Sequence, residues 1–163
     1  MKKIQKLFFV EDDPLFLRVY IDFFSKEGFE VETADNGLKA LGKLESMEKL
    51  PSLIVIDMMM PEMNGLEFLR VAKSNPRYKR IPVIMLTNLN SQSDVEQAYI
   101  LGAILYLVKT DYSPKEVVGK IKEILSAYKN ESSVHEVSVP VKDLPEKKAD
   151  SPKPASKTST PAI

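Results

Sequence analysis

Four polar residues follow apolar runs at widely separated places in the sequence. Asp12 comes just after LFFV, Asp57 follows LIVI, Thr87 follows VIML and Lys109 follows ILYLV. If these runs are parallel strands, their carboxyl ends lie along one edge of a sheet, where ligands of open α/β sheets bind. Two carboxylates, a hydroxyl and an ammonium group at one edge can hold a divalent cation and a phosphoryl group.

Asp57 is the candidate nucleophile of this set. An aspartate carboxylate can accept a phosphoryl group as an acyl phosphate when a metal offsets the charge between them. Mg²⁺ prefers oxygen ligands and takes only one or two carboxylates directly, which Asp12 and Asp57 can supply. Each residue also has a simpler structural interpretation, because Asp and Thr are common at strand ends and turns, and Asp13 before Pro14 has the position of a helix N-cap.

Short apolar runs alternate with longer amphipathic ones over residues 1–129, which is typical of repeated βα units on a parallel sheet. Four of the runs are continuously apolar, as expected of strands covered on both faces, whereas FEVETA alternates and suggests an edge strand. We predict five strands and five helices. The predicted strands are LFFV (7–10), FEVETA (29–34), LIVID (53–57), PVIML (82–86) and ILYLV (104–108).

Local signals predict where the helices begin and end. Pro14 is suited to open the first helix, and Gly28 to end it in a left-handed conformation. Ser93 with Glu96, and Ser113 with Glu116, have the spacing of a capping box. A last helix is then expected to bury one apolar stripe, formed by Val117, Ile121, Ile124, Leu125 and Tyr128.

Composition excludes several classes of function. The 163-residue chain has 23 basic and 23 acidic side chains, so its net charge does not favour nucleic acid or an anionic membrane. With no Cys and a single His, thiolate sites and His-rich metal centres are excluded, which leaves hard cations on oxygen ligands. No stretch has the length of a membrane span or the pattern of a secretory signal, and we expect a cytoplasmic protein.

Residues 130–163 differ in character from the rest of the chain. From residue 131 onwards the segment has five Pro, six Ser and two Thr, and its five Lys are balanced by five acidic residues. Such a segment buries too little apolar surface to offset its ordering entropy, so we predict a disordered Pro/Ser/Lys-rich tail after a domain spanning 1–129. VHEVSVPV (134–141) is a candidate partner-binding stretch within it.

The motifs together resemble the receiver domain of bacterial two-component response regulators, in particular stand-alone, chemotaxis-regulator-like members. The resemblance covers roughly residues 4 to 128, and it rests on the order and spacing of all the motifs rather than on any single one. It implies a flavodoxin-like, doubly wound α/β fold with strand order 2-1-3-4-5. The motifs are VEDDP (10–14), DMMMP (57–61) with NGLEFL (64–69), VIMLT (83–87) and YLVK (106–109).

The resemblance also implies roles for individual residues. Asp57 would be the phosphoacceptor, Thr87 and Lys109 would contact the phosphoryl group, and Tyr106 would be the aromatic switch residue. Mg²⁺, or Mn²⁺ in its place, would be held by Glu11, Asp12, Asp57 and the backbone carbonyl of Met59.

The family mechanism implies partners as well. A sensor histidine kinase or histidine phosphotransfer protein would donate the phosphoryl group, and a downstream protein would bind the face around Tyr106. A monomer that dimerises on phosphorylation is compatible with this mechanism, and no enzymatic turnover beyond self-phosphorylation and autodephosphorylation is expected.

Two positions depart from the family pattern. Thr110 follows Lys109 where the family usually has a cis proline, and a cis bond before a non-proline residue costs ~3 kcal/mol, so we expect a trans bond and a differently aimed Lys109. Asn88 follows Thr87 where a smaller residue is usual, which would narrow access to Asp57.

Two alternatives stay open at this point. A pseudo-receiver would keep the fold as an interaction module without being phosphorylated, and Asn88 and Thr110 favour it. A Mg²⁺-dependent phosphohydrolase with an aspartyl nucleophile is less favoured, because such enzymes need a second carboxylate at the position that Met59 occupies.

Overall fold

The fold is a five-stranded parallel sheet with helices on both faces, seen in a computed structural model that describes residues 3–130. The strand order is β2-β1-β3-β4-β5, so the predicted fold class and topology are confirmed. The strands are β1 (Lys6–Val10), β2 (Glu30–Ala34), β3 (Leu53–Ile56), β4 (Val83–Thr87) and β5 (Leu105–Val108). The helices are α1 (Pro14–Lys26), α2 (Gly37–Ser46), α3 (Gly65–Ser74), α4 (Gln92–Ile100) and α5 (Pro114–Asn130).

Alternate side chains of each inner strand enter two separate cores. In β1, Phe8 and Val10 pack with the cluster beneath α2, α3 and α4, whereas Leu7 and Phe9 pack with the cluster beneath α1 and α5. Both sets are fully buried, which explains why the inner strands are apolar throughout. The alternating strand β2 lies at the edge of the sheet and is half-buried, as predicted.

Most of the predicted helix ends are found. The Asp13 carboxylate accepts from the amides of Leu15 and Phe16 at the start of α1. Gly28 follows the end of α1 with a φ of 84°, a conformation that suits glycine. At the start of α5, the amide of Ser113 donates to the Glu116 carboxylate, as its capping-box spacing predicts.

The predicted start of the fourth helix is wrong by two residues. Ser91, not Ser93, caps α4, because the Ser91 hydroxyl accepts from the amide of Asp94. The hydroxyl of Ser93 instead lies 3.4 Å from the side-chain amide of Gln97, one turn further along the helix. Ser91 is also followed by an acidic residue three positions later, Asp94, so the spacing that suggested Ser93 fits Ser91 as well.

The α5 stripe is buried in its first part. Val117, Ile121 and Leu125 lie in the core, Ile124 is half-buried and Tyr128 is exposed at the edge of the stripe. Across residues 3–130, no helix combines the length and apolar character that crossing a membrane requires. Apart from Asn130, which ends α5, the predicted tail of residues 130–163 lies outside the described residues.

Candidate functional site

The hydrogen bonding between parallel strands continues past the strand ends. It places the site residues along the edge of the sheet formed by the carboxyl ends of the strands, called the rim below. The amide of Glu11 donates to the carbonyl of Ala34, and the amide of Asp57 donates to the carbonyl of Val10, both at 3.0 Å. Between β5 and β4, the amide of Lys109 donates to the carbonyl of Thr87 at 2.8 Å. The backbones of Glu11, Asp57 and Lys109 are therefore held by the sheet rather than by free loops.

Lys109 joins two buried carboxylates across this rim. Its ammonium group lies 2.6 Å from Oε2 of Glu11 and 3.1 Å from Oδ2 of Asp57. Glu11 is 1% exposed and Asp57 is 6% exposed, so these contacts are shielded from water. Charge-assisted hydrogen bonds in such surroundings are the strong ones. The structure thus brings three of the predicted site residues into direct contact.

Burial and charge shift the pKa values of this group. Burial raises the pKa of Glu11 to about 6, against the opposing effect of its hydrogen bonds with Lys109 and Asp13. Burial alone would lower the pKa of Lys109, but its hydrogen bond with Glu11 and the charges of Asp57 and Glu11 outweigh it, and the pKa is raised. Lys109 therefore stays positively charged at neutral pH, while the charged form of Glu11 is disfavoured.

Asp12 completes a cluster of three acidic residues that fits a hard divalent cation. Glu11, Asp12 and Asp57 each offer a carboxylate oxygen, and these atoms lie within 4.8 Å of one another. Asp12 is exposed while the other two are buried, so the cluster opens to solvent on one side. Oxygen donors on an open site suit Mg²⁺, which retains water molecules among its ligands.

The loop after β3 approaches Asp57 closely. The amide of Met59 donates to Oδ1 of Asp57 at 3.3 Å, while the Met59 side chain is 63% exposed. Its predicted role as a metal ligand through the backbone carbonyl stays a prediction. At the start of α3, a Cβ on Gly65 would lie only 2.4 Å from the carbonyl oxygen of Asp57. The glycine of the NGLEFL motif therefore allows α3 to begin against the phosphoacceptor candidate.

Thr87 and Tyr106 are linked through Leu89. Thr87 is the last residue of β4, and its buried hydroxyl accepts from the amide of Leu89 at 3.3 Å. The hydroxyl of Tyr106 donates to the carbonyl of the same Leu89 at 2.9 Å. Tyr106 is 7% exposed, and burial raises its pKa to about 12. The candidate phosphoryl-binding residue Thr87 thus contacts the amide of Leu89, and the candidate switch residue Tyr106 contacts its carbonyl.

Thr110, one of the two departures from the family pattern, leaves the contacts of Lys109 in place. No cis peptide bond occurs in residues 3–130, so the bond between Lys109 and Thr110 is trans as predicted. The expectation that Lys109 would then be aimed elsewhere is wrong, because its ammonium reaches Asp57. Asn88 is exposed directly after β4, and its predicted effect on access to Asp57 stays a prediction.

Sequence reasoning missed two residues of the site. Nothing in the sequence marks Leu89 as a site residue, since its backbone rather than its side chain makes the contacts. Phe16 lies under Lys109, with the ammonium nitrogen 4.0 Å from the ring centroid. Phe16, Tyr20 and Phe24 recur at helical spacing in α1, and that aromatic stripe was the available signal.

Comparison with known proteins identifies the family of the chain and agrees with the fold. The response regulator receiver domain family matches residues 7–122, and the chain belongs to this family of two-component signalling domains. It is 34% identical over 121 residues to the chemotaxis protein CheY1 of Helicobacter pylori, covering 74% of this chain and 96% of that protein. It is also 37% identical over 122 residues to a CpxR homolog, a transcriptional regulatory protein of Haemophilus influenzae.

Coverage differs among the relatives. The match to the CpxR homolog covers 75% of this chain but 51% of the relative, and the chain spans about half the length of several such regulators. Among solved structures, the chemotaxis response regulator CheY4 of Vibrio cholerae aligns with a TM-score of 0.68 at 28% identity, covering 75% of this chain and 99% of that one. A CheY-like receiver domain protein of Methanospirillum hungatei aligns with a TM-score of 0.71 at the same identity, covering 79% and 99%.

Proposed function

We propose that this protein is a signalling switch that accepts a phosphoryl group on Asp57 from the phosphohistidine of a sensor histidine kinase or histidine phosphotransfer protein. The observation that carries the proposal is the Asp57 carboxylate at a strand end, 3.1 Å from the Lys109 ammonium and beside two further carboxylates. Acceptance requires Mg²⁺ or Mn²⁺, and it changes a protein-binding face around Tyr106.

In the transfer step, an Asp57 oxygen attacks the phosphorus of the phosphohistidine. An O–P bond forms as the N–P bond breaks, and the electron pair of that bond returns to the imidazole. Lys109 offers its ammonium to a phosphoryl oxygen, and Thr87 offers its hydroxyl to another. Held by Glu11, Asp12 and Asp57, the metal ion would supply positive charge that reduces repulsion between the carboxylate and the phosphoryl oxygens.

The signal passes from Thr87 to Tyr106 through Leu89. In the unphosphorylated protein the Thr87 hydroxyl accepts from the Leu89 amide. A phosphoryl oxygen on Asp57 accepts a hydrogen bond from the same hydroxyl and draws it towards Asp57, which weakens its contact with the Leu89 amide and lets the Leu89 segment move. The Tyr106 hydroxyl is bound to the carbonyl of Leu89, and its ring environment changes with the segment. This is a local change of charge that biases a two-state packing element.

Acetyl phosphate with Mg²⁺ tests phosphoryl acceptance directly. Phosphate-affinity electrophoresis should show one labelled species in the wild type and none in Asp57→Ala. Asp22→Ala is the matched control, because Asp22 is an exposed aspartate paired with Lys26 on α1. Equal labelling of the wild type and Asp57→Ala removes Asp57 from this role, and no labelling of any variant favours the unphosphorylated interaction module.

Fluoroberyllate tests the switch separately from the chemistry. With Mg²⁺ it mimics a phosphoryl group on an aspartate, and amide NMR should then show shifts at Leu89 and Tyr106 in the wild type. The Thr87→Val variant keeps the size of the side chain but lacks the hydroxyl. If its Leu89 and Tyr106 resonances shift as much as those of the wild type, the route through Thr87 is wrong.

A further inference from the structure

The ammonium group of Lys109 has a third contact that neither the metal site nor the phosphoacceptor explains. It lies over the ring of Phe16, 4.0 Å from the ring centroid, within the range of a cation–π interaction. The Lys109 side chain is only 8% exposed, so the contact is largely desolvated. Cation–π interactions are strongest under that condition.

The Phe16 ring is held in place by the core and not by Lys109. It stacks on Tyr20, with ring centroids 4.5 Å apart and an interplanar angle of 27°. It also lies 6.3 Å from the ring of Phe9, a fully buried residue of β1. Tyr20 in turn packs against Phe24 at the next turn of α1. The ring that faces the ammonium is therefore packed within a row of aromatic side chains.

The other two partners of Lys109 change during the proposed reaction. Glu11 and Asp57 hold the ammonium in the unphosphorylated protein, and the same carboxylates belong to the acidic cluster that fits a metal ion. Asp57 also loses its free carboxylate when it is phosphorylated. Phe16 takes no charge, binds no metal and does not react, so the proposed reaction does not itself remove its contact with Lys109.

We infer that Phe16 is a positioning residue, which keeps the Lys109 ammonium at the phosphoryl site when Glu11 and Asp57 are engaged by the metal ion and the phosphoryl group. The inference rests on the proposed function, since it assigns Phe16 a part in the same reaction. Phe16 acts only through Lys109 and needs no contact with the phosphoryl donor.

Fluorination of the Phe16 ring gives the sharpest test. Replacing Phe16 with pentafluorophenylalanine preserves the ring's shape but removes the negative electrostatic potential of its face. With acetyl phosphate and Mg²⁺, the rate constant for labelling should fall about thirty-fold, the size expected for one desolvated cation–π contact. The Mg²⁺ concentration for half-maximal labelling should change less than the rate constant.

Substitutions by standard amino acids distinguish a role of Phe16 in positioning Lys109 from a role in packing the core. Phe16→Leu should show the same fall in rate, and Phe16→Tyr should restore it, because tyrosine keeps an aromatic face. Phe29→Leu is the packing control, since it removes an aromatic ring packed against the same core, just before β2. Its labelling rate should stay near that of the wild type even where its stability is lower.

NMR of the untreated protein makes the two proposals distinguishable. The ε-methylene protons of Lys109 should be shifted upfield by the ring current of Phe16 and lose that shift in Phe16→Leu. If the wild type shows the shift but is not labelled, the proposed function fails. If it is labelled and the fluorinated variant reacts equally fast, or the upfield shift is absent, the positioning inference is overturned by itself.

Discussion

Replacing Glu11 by Gln should change how the stability of the metal-free protein depends on pH. Glu11 is 1% exposed, and burial raises its pKa from 4.5 to about 6. Between these values the folded protein binds more protons than the unfolded chain, so stability falls as pH rises through this window. A shift of about 1.5 units corresponds to about 2 kcal/mol, present as a cost above pH 6 and absent below pH 4.5.

The glutamine side chain of the Glu11→Gln variant cannot ionise, so this cost disappears. The free energy of unfolding of the variant, measured relative to that of the wild type, should therefore rise by about 2 kcal/mol between pH 4 and pH 7. Urea denaturation in the presence of EDTA measures it at each pH. The matched control is Glu48→Gln, an exposed glutamate just after the end of α2, whose difference from the wild type should stay flat. A flat or falling difference for Glu11→Gln would refute the reasoning.

The same unfolding measurement with added Mg²⁺ tests whether Glu11 belongs to the metal site. A cation that binds only the folded protein stabilises it by about 1.4 kcal/mol at ten times its dissociation constant. At pH 7 added Mg²⁺ should therefore stabilise the wild type and reduce the advantage of Glu11→Gln. Equal stabilisation of both proteins would exclude Glu11 from the metal site.

Three further substitutions test the surroundings of the site. Gly65→Ala places a Cβ 2.4 Å from the Asp57 carbonyl oxygen, and denaturant unfolding should show a loss of about 2 kcal/mol or more. Tyr106→Phe removes the donor to the Leu89 carbonyl and should cost about 1 kcal/mol in the same assay, with a shifted Leu89 amide resonance. Asp13→Ala removes the cap of α1 and should lower the unfolding free energy by about 1 kcal/mol.

The fold and the set of residues on the rim were predictable because both depend on periodicity. The apolar runs predict parallel strands, and parallel strands bring their carboxyl ends to one edge whatever the loops between them do. The strand bounds differ from prediction by one residue at several ends, and Thr87 belongs to β4 instead of following it. Such differences leave Asp57 and Lys109 on the same rim.

The contacts within the site were less predictable because they depend on side-chain conformations across long sequence separations. Glu11 and Lys109 are 98 residues apart, and no local pattern links them. The resemblance assigned Glu11 to the metal and Lys109 to the phosphoryl group, whereas in the structure each is also the other's partner. Phe16 and Leu89 join the site through a ring face and a backbone segment, which sequence motifs do not encode.

The rim carries more negative than positive charge, and this imbalance links the pH behaviour to the proposed chemistry. Within the described part of the chain, the carboxylates of Glu11, Asp12 and Asp57 share one close ammonium group, that of Lys109. Without a metal ion, burial disfavours the charged form of Glu11 and raises its pKa, and the nearby negative charge of Asp57 adds to this effect. A phosphoryl group brought to Asp57 adds negative charge to the same rim, which protonation of one carboxylate does not offset. A bound divalent cation offsets both, so Glu11→Gln should remove the fall of stability with pH while labelling still requires Mg²⁺, at a higher concentration, because Asp12 and Asp57 remain to hold the ion.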